Sequence, residues 1–537
     1  MKDGVTEDAY FTSAARTLQG DSVGRAVASS GPGWPQGRQA MPGYSLRPAL
    51  AAGLLVLLAA CQGGPRPAPD NAIARCEALF AAQDHAVEAA GVGRSHPHRI
   101  AGFPYLRITR LLASYRDAAE DPLRVGAWLA RLADADARAR ASELALLPPA
   151  ERERLAAGWS TGLTAATGMC RDRLLLRDRE SPARLALLAE RAVAPDEYRT
   201  AARVFGVYPL AAIGLRAGVL RWHEAVRARW QLPREALAGG LPLERYVSAA
   251  EAGTATATAA GDGAVPRDAL GLPAPSAGQL AALLDRHAPV WVVATAGAAD
   301  RPGVPRHTRD GPTVTTDVPT VYRYPSLTRF RGRARLQLNY LAWFGARPAE
   351  GPLDPLAGAL DGVIWRVTLD EEGAVLAYDS VHACGCYHLL FPVGELRPRA
   401  DLASLPEPPL VLPALATPAR GERMHLFLAS GSHYLERAWP APPAAGQRYR
   451  ALDREALYRV AGPGGERSLF DPDGLVPGTG RGERWFLWPS GVRSPGAMRE
   501  RGRRATAFLG RRHFDDPFLL ELVFGTAEGE EAAGVSR

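Results

Sequence analysis

The chain has 537 residues, a formal net charge of +7 and 47% hydrophobic residues. These values exclude a disordered or fibrous protein and predict two or three folded domains, because single domains usually contain about 100–200 residues. The basic charge is almost all arginine, since Lys2 is the only lysine, and it is spread among 57 acidic residues, so no nucleic-acid partner is expected.

An apolar run near the N-terminus is the first element that carries a function. It extends from Ala49 to Ala60, follows Arg47 and is followed by Cys61. Its length is too short for a bilayer, which needs about 20 residues, but is typical of the hydrophobic part of a signal peptide. The end of the run, Leu58-Ala59-Ala60-Cys61, resembles the lipobox of bacterial lipoproteins.

The resemblance to lipoproteins implies cleavage before Cys61 and attachment of acyl chains such as palmitate to that cysteine. Because Gln62 rather than aspartate follows, the lipoprotein pattern implies an outer-membrane protein facing the periplasm. An acyl anchor of this kind needs no transmembrane helix, and no other segment of the sequence is predicted to be one. The expected partners are the membrane, through Cys61, and an envelope ligand or protein.

The resemblance to a lipobox also determines how the neighbouring segments are interpreted. Residues 41–60 form the predicted signal peptide. Residues 1–40 contain four acidic residues and would make an abnormally long leading region, so they are interpreted as an over-extended start. Residues 61–70 are rich in glycine and proline and are predicted to be an unstructured tether.

Residues 71–249 show helical periodicity. Ile73, Cys76, Phe80 and Val87 recur at spacings that place them on one helix face. Ser181-Pro182 is a capping residue followed by proline at the first helical position, which is a typical helix start. This part is predicted to be a helical, bundle-like domain.

Two cysteines in this helical part are candidates for a disulfide. Cys76 and Cys170 lie on separate predicted helices, and exported proteins fold in an oxidising compartment. A Cys76–Cys170 bridge is therefore predicted, and two buried free thiols are the alternative.

The second half of the chain changes to the period of two that is typical of strands. Residues 250–275 are predicted to be a linker, 276–530 a β-rich domain and 531–537 a tail. The predicted fold is thus multidomain α+β, with a helical domain followed by a mainly antiparallel β-rich domain. Aromatic-rich segments interpreted as strands include "LNYLAWF" and "GERWFLWPSG", and Ser494 is predicted to cap a basic helix with a solvated arginine face.

The segment "HACGCYH" at 382–388 contains the most distinctive chemistry of the sequence. On a straight strand its four metal-binding or redox residues would share one face, but the two histidines would lie about 20 Å apart. One metal ion could therefore be held only if the chain bends at Gly385. Three interpretations remain open: a metal site, a Cys384–Cys386 disulfide, or a sheet corner with buried cysteines and hydrogen-bonded histidines.

The metal interpretation requires ligands from elsewhere in the chain. The candidate set combines thiolates and imidazoles, which suit zinc or copper. Its members are His382, Cys384, Cys386, His388, His433 and His513.

No motif of a known enzyme class is present, so the sequence leaves open whether the protein is an enzyme. The main functional prediction is a lipid-anchored envelope protein that binds a ligand or partner. The alternative is a zinc- or copper-dependent enzyme, or a metal-binding protein, that uses the segment 382–388.

Overall fold

The computed structural model describes residues 71–249 and 265–526. The predicted signal peptide, Cys61, the tether and the tail lie outside the described residues, as do residues 250–264 of the predicted linker. The helices of the described parts are α1 Asn71–Ala89, α2 Arg110–Ala113, α3 Val125–Ala145, α4 Pro149–Ala156, α5 Gly162–Arg179, α6 Pro182–Arg191, α7 Thr200–Phe205, α8 Tyr208–Trp230, α9 Arg234–Leu237, α10 Ala277–Arg286, α11 Arg484–Leu487 and α12 Leu519–Val523.

The strands are β1 His98–Ile100, β2 Phe103–Ile108, β3 Leu243–Ser248, β4 Val290–Ala294, β5 Val304–Thr308, β6 Gly311–Thr315, β7 Thr320–Phe330, β8 Arg333–Arg347, β9 Gly358–Leu369, β10 Val375–His382, β11 Leu389–Pro392, β12 Leu396–Pro398, β13 Leu410–Val411, β14 Arg423–Leu428, β15 Leu435–Ala441, β16 Gln447–Asp453, β17 Val460–Gly462, β18 Gly465–Arg467 and β19 Phe524–Thr526.

The N-terminal helices pack around a core of their own. Phe80, Trp128 and Leu132 are fully buried in it, because the apolar positions of α1 and α3 recur at helical spacing. Cys76 of α1 and Cys170 of α5 form a disulfide in this core, with their α-carbons 5.0 Å apart. The predicted pairing is confirmed.

The C-terminal part is built on one eleven-stranded sheet with the order β13-β11-β10-β9-β8-β7-β16-β3-β4-β14-β15. The strands β7 to β11 form an antiparallel meander. Parallel pairs flank it, because β16 pairs with both β7 and β3, and β14 pairs with β4. The predicted combination of helices with a β-rich C-terminal part is confirmed, but the sheet is mixed, with parallel as well as antiparallel pairs.

The structure does not divide at the predicted boundary after residue 249. Strand β3, within the predicted helical domain, lies between β4 and β16 in the sheet. Trp222, Val226 and Trp230 of helix α8 pack against the sheet core. Helix α8 therefore covers the sheet. The predicted boundary differs from the structure because strand β3 pairs with strands far away in the sequence, and sequence periodicity does not reveal such pairing.

Two predictions near the C-terminus are wrong. The aromatic segment "GERWFLWPSG" contains the short helix α11 rather than a strand, and no helix begins at Ser494. The arginines assigned to a solvated helix face include Arg499 and Arg504, which are 1% and 2% exposed. Both guanidinium groups donate to carbonyl oxygens of the segment that follows β10, and this contact replaces solvent.

Candidate functional site

The chain bends sharply where strand β10 ends at His382. The Gly385 N–H donates to the His382 carbonyl oxygen at 2.8 Å, and the His382 N–H donates to the Cys386 carbonyl oxygen at 3.0 Å. Gly385 has a φ of +97°, and a β-carbon there would lie 2.3 Å from the Ala505 carbonyl oxygen. Only glycine fits this position, so the bend that the metal and disulfide interpretations required is present.

Both cysteines of the bend are free thiols. The Cys386 N–H donates to the Cys384 sulfur at 3.3 Å. Hydrogen bonding to Cys384 and, as a smaller effect, burial raise the pKa of the Cys386 thiol well above its ordinary value. The two sulfurs are therefore close neighbours. Arg499 Nε fixes the bend from behind by donating to the Cys384 carbonyl oxygen at 3.0 Å.

The two thiols face a cavity of about 60 Å³. Its wall is made by helix α8, the bend, the start of α11 and the loops around residues 495 and 506. A water molecule needs about 10–15 Å³ measured in this way, so the space suits several waters or one small polar group. Its reactive or polar lining includes His223, Cys384, Cys386, His388, Glu407 and Glu483.

Glu483 is a buried acidic residue of the cavity wall. It is only 4% exposed, and its carboxyl group makes no hydrogen bond or ion pair with the residues that the structure describes. Burial raises its pKa to about 7, against the opposing effect of Arg481, Arg347 and Arg499. An unpaired buried carboxyl group at an internal space indicates a site for a ligand or for proton transfer.

His388 lines the same cavity. Its Nε2 lies 2.9 Å from Asp379 Oδ2, and Arg366 Nε donates to the other Asp379 oxygen at 2.8 Å. Burial lowers the pKa of His388 although Asp379 opposes this. The neutral ring then donates through Nε2, which leaves Nδ1 as a buried acceptor with no partner among the described residues.

His223 of helix α8 adds a second neutral imidazole. Burial, with smaller effects of Arg227 and Arg512, lowers its pKa to about 4. Its ring packs against Trp222 with centroids 5.4 Å apart, and Trp222 also lines the cavity. The lining thus combines two thiols, two neutral imidazoles and a carboxyl group whose charge changes near neutral pH.

Behind the bend, Asp361 of β9 holds two histidines. His382 Nδ1 lies 3.1 Å from one carboxylate oxygen, and His433 Nδ1 lies 3.0 Å from the other. Burial alone would raise the pKa of Asp361, but His382 and His433 hold it well below its ordinary value. The His382 ring contacts Tyr387 edge to face at 4.9 Å. This network therefore fixes His382, the residue at which the bend begins.

His433 lies between two carboxylates. Its Nε2 is 3.5 Å from Asp300 Oδ1, and Asp300 also accepts hydrogen bonds from Gly431 N–H and Ser430 Oγ. Burial lowers the pKa of His433, but its contacts with Asp300 and Asp361 outweigh burial and raise it. A buried imidazolium held by two carboxylates is a structural ion cluster.

Backbone strain is concentrated in the same region. Leu360, Tyr387 and His433 have φ values between +53° and +59°, and none of them is glycine. Such residues persist only where the surrounding contacts fix them, and they cluster at functional sites. Tyr387, which lines the cavity, is the strained residue nearest to the thiols.

The predicted metal ligands do not form one group. Cys384, Cys386 and His388 line the cavity, whereas His382 and His433 bind Asp361 behind the bend. In the parts of the chain that the structure describes, no three His, Cys, Asp or Glu side chains are placed to hold one metal ion. The prediction of a zinc or copper site therefore receives no support from the geometry.

His513, the sixth predicted ligand, lies elsewhere. Its Nε2 is 3.4 Å from Asp196 Oδ1 and accepts the Glu197 N–H at 3.4 Å. Its ring packs edge to face on Tyr198. Its polar contacts with Asp196 and Glu197 account for the position of this histidine.

Several residues of the site were missed by the sequence analysis. Asp361 and Asp379 are single acidic residues within apolar strands, a pattern that indicates buried partners and could have drawn attention to them. Glu483 and His223 carry no such signal, because only the fold brings α11 and α8 to the bend.

Comparison of the chain with protein-family models, curated proteins and solved structures found no match. Within residues 71–249 and 265–526, no helix has the length and apolar character needed to cross a bilayer.

Proposed function

We propose that this chain is an exported, lipid-anchored envelope protein that binds a small polar ligand in the cavity beside the bend. The observation that carries the proposal is the convergence on one cavity of the Glu483, His388 and His223 side chains, of which His388 Nδ1 is buried without a hydrogen-bond partner among the described residues. Buried polar groups are normally paired, so a ligand or ordered water is expected to complete them.

The chemistry of these groups defines the ligand class. The imidazole nitrogen of His388 accepts a hydrogen bond, and Glu483 donates or accepts according to pH. The volume of about 60 Å³ limits the buried part of the ligand to a few non-hydrogen atoms. A small polar molecule, or the polar end of a larger one, fits these limits. The exported, anchored part of the proposal is supported by the lipobox sequence at Cys61.

No observation on the described residues favours the metal-dependent alternative over binding. These residues contain no group of three metal-binding side chains at a common point. His382 and His433 contact Asp361, and His513 contacts Asp196.

The test uses a matched pair of substitutions on helix α8. Val219 lines the cavity, whereas Ile213 on the same helix is 71% exposed. Val219→Trp should fill the cavity, and Ile213→Trp should leave it open. The probe is a set of polar fragments with fewer than about ten non-hydrogen atoms, detected by ligand-observed NMR on the full chain as cells process it.

We expect fragments that bind the wild type and Ile213→Trp and lose binding in Val219→Trp. The proposal would be overturned if no fragment bound the wild type, or if Val219→Trp bound the same fragments equally well. Circular dichroism of both variants would establish that they fold alike.

A further inference from the structure

We propose that Cys384 and Cys386 form a reversible dithiol/disulfide pair that exchanges with low-molecular-weight disulfides entering the cavity. The inference rests on the cavity site proposed above but not on the nature of its polar ligand. It adds an activity, thiol–disulfide exchange, to a site so far described only as a binding site.

The first support is the contrast between the two cysteine pairs. Cys76 and Cys170 are joined in the helical core, whereas Cys384 and Cys386 are free although they are neighbours in one bend. On a straight strand their α-carbons would lie about 6.6 Å apart, near the upper limit for a bridge. The bend at Gly385 changes this geometry and brings the Cys386 N–H to the Cys384 sulfur.

The second support is access. Both thiols line the cavity, and Cys386 is partly exposed while Cys384 is 5% exposed. The volume of about 60 Å³ excludes a folded protein surface. The substrate class is therefore a small disulfide rather than a protein disulfide.

The third support is the different surroundings of the two sulfurs. Cys384 accepts the Cys386 N–H through its sulfur at 3.3 Å, and Arg499 Nε donates to the carbonyl oxygen of the same residue at 3.0 Å. Cys386 lies within the field of Glu483, whose carboxyl group has no described partner. We therefore assign Cys384 as the attacking thiolate and Cys386 as the resolving thiol.

The exchange proceeds in two balanced steps. First, the Cys384 thiolate attacks one sulfur of the small disulfide; a mixed disulfide forms, the substrate S–S bond breaks, and the leaving thiolate takes up the proton that Cys384 released. Second, Cys386 releases its proton to water and attacks the Cys384 sulfur. The Cys384–Cys386 bond forms, the mixed disulfide breaks, and the second leaving thiolate takes the proton.

The balance is a two-electron transfer. The chain loses two electrons and two protons, and the small disulfide gains them and leaves as two thiols. A small dithiol or two monothiols would reverse the reaction and restore the free cysteines.

The experiment exposes the full chain, as cells process it, to 2-hydroxyethyl disulfide and follows its products by intact and peptide mass spectrometry. The wild type should lose two hydrogens, located in a peptide that links Cys384 to Cys386. Cys386→Ser should stop at the first step and retain one mercaptoethanol on Cys384. Cys384→Ser should lose this capture, and Cys76–Cys170 should be unchanged in every sample.

The inference would be overturned if the wild type formed no Cys384–Cys386 bond, or if Cys384→Ser captured the reagent as readily as Cys386→Ser. Fragment binding by the Cys384→Ser/Cys386→Ser variant separates the two proposals. If the fragments still bind while the wild type undergoes no exchange, only the redox inference fails. If the wild type exchanges but binds no fragment, only the ligand-binding proposal fails.

Discussion

Glu483 and Asp361 are two buried carboxyl groups with opposite surroundings. Glu483 faces the cavity without a described partner, and burial raises its pKa. Asp361 receives two imidazoles, which hold its pKa far below the ordinary value despite burial. The first group can change charge near neutral pH, whereas the second stays ionised. The cavity wall therefore carries a carboxyl group whose charge changes with pH, whereas the Asp361 network keeps its charge.

The raised pKa of Glu483 predicts a pH-dependent stability. The carboxyl group is neutral in both states below about pH 4.5, and between that pH and about 7 the unfolded chain ionises first. The free energy of unfolding of the wild type should therefore fall, relative to Glu483→Gln, by roughly 3 kcal/mol as pH rises through this window. Urea unfolding at several pH values measures the difference. Parallel curves for the two proteins would contradict the prediction, and the exposed Glu466→Gln serves as control.

Asp361→Asn should destabilise the fold because it removes the charge that faces two buried histidines. Breaking a buried ion pair by neutralising one partner costs about 3–5 kcal/mol. We expect a loss of this size in urea unfolding with an unchanged dependence on denaturant. Asp473→Asn, which affects an exposed pair with Arg493, should cost less than about 1 kcal/mol. Similar small losses in both variants would show that Asp361 is not the centre of the network.

At the scale of elements, the sequence predicted what local periodicity determines. The helical segments with their apolar spacing, the strand at "LNYLAWF" and the Cys76–Cys170 pairing are observed. The bend within 382–388 was required by the metal interpretation. The local pattern did not reveal that Arg366 of β9 is 3% exposed and bound to Asp379.

The remaining elements depend on long-range contacts. "GERWFLWPSG" has the composition of a strand but forms α11, whose preceding residue Glu483 reaches the cavity. Nothing in the sequence of helix α8 singles out His223, and only the packing of the helix on the sheet makes His223 a cavity residue. Such positions combine side chains from distant segments, which spacing in one sequence cannot connect.

The disulfide should stabilise the helical elements by restricting the unfolded chain. It closes a loop with a sequence separation of 94 residues, and removal of such a bridge typically costs about 2–5 kcal/mol. Cys76→Ser/Cys170→Ser should lose stability by this amount in denaturant unfolding. Cys384→Ser/Cys386→Ser, which removes two thiols that close no loop, is the matched control. Equal stability of the two double variants would argue against a cross-linking role.

At the scale of the whole molecule, two parts with separate cores share the described chain. The helical core contains the disulfide, and the mixed sheet, covered by α8, carries the cavity. The segment that resembles a lipobox, Leu58–Cys61, precedes the helical part in the sequence. In the proposed arrangement the acyl anchor holds the chain at the membrane while the cavity meets small molecules of the periplasm.

The anchoring part of this arrangement predicts the behaviour of Cys61→Ser. Without the thiol that is acylated, the protein should leave the membrane fraction and carry no acyl mass, as measured by fractionation and intact mass spectrometry. Gln62→Asp is the matched control, because it changes the residue beside the cysteine and leaves the acylated thiol in place. Retention of Cys61→Ser in membranes without an acyl group would contradict the lipoprotein assignment.

The central claim is that the cavity beside the bend is an accessible site lined by two reactive thiols. The most direct measurement is alkylation of the native protein by iodoacetamide, followed by peptide mapping of Cys384 and Cys386 in the wild type, Val219→Trp and Ile213→Trp. We predict alkylation of the bend in the wild type and Ile213→Trp and its loss in Val219→Trp. Thiols that are unreactive in the native wild type, or that react equally in Val219→Trp, would contradict the account.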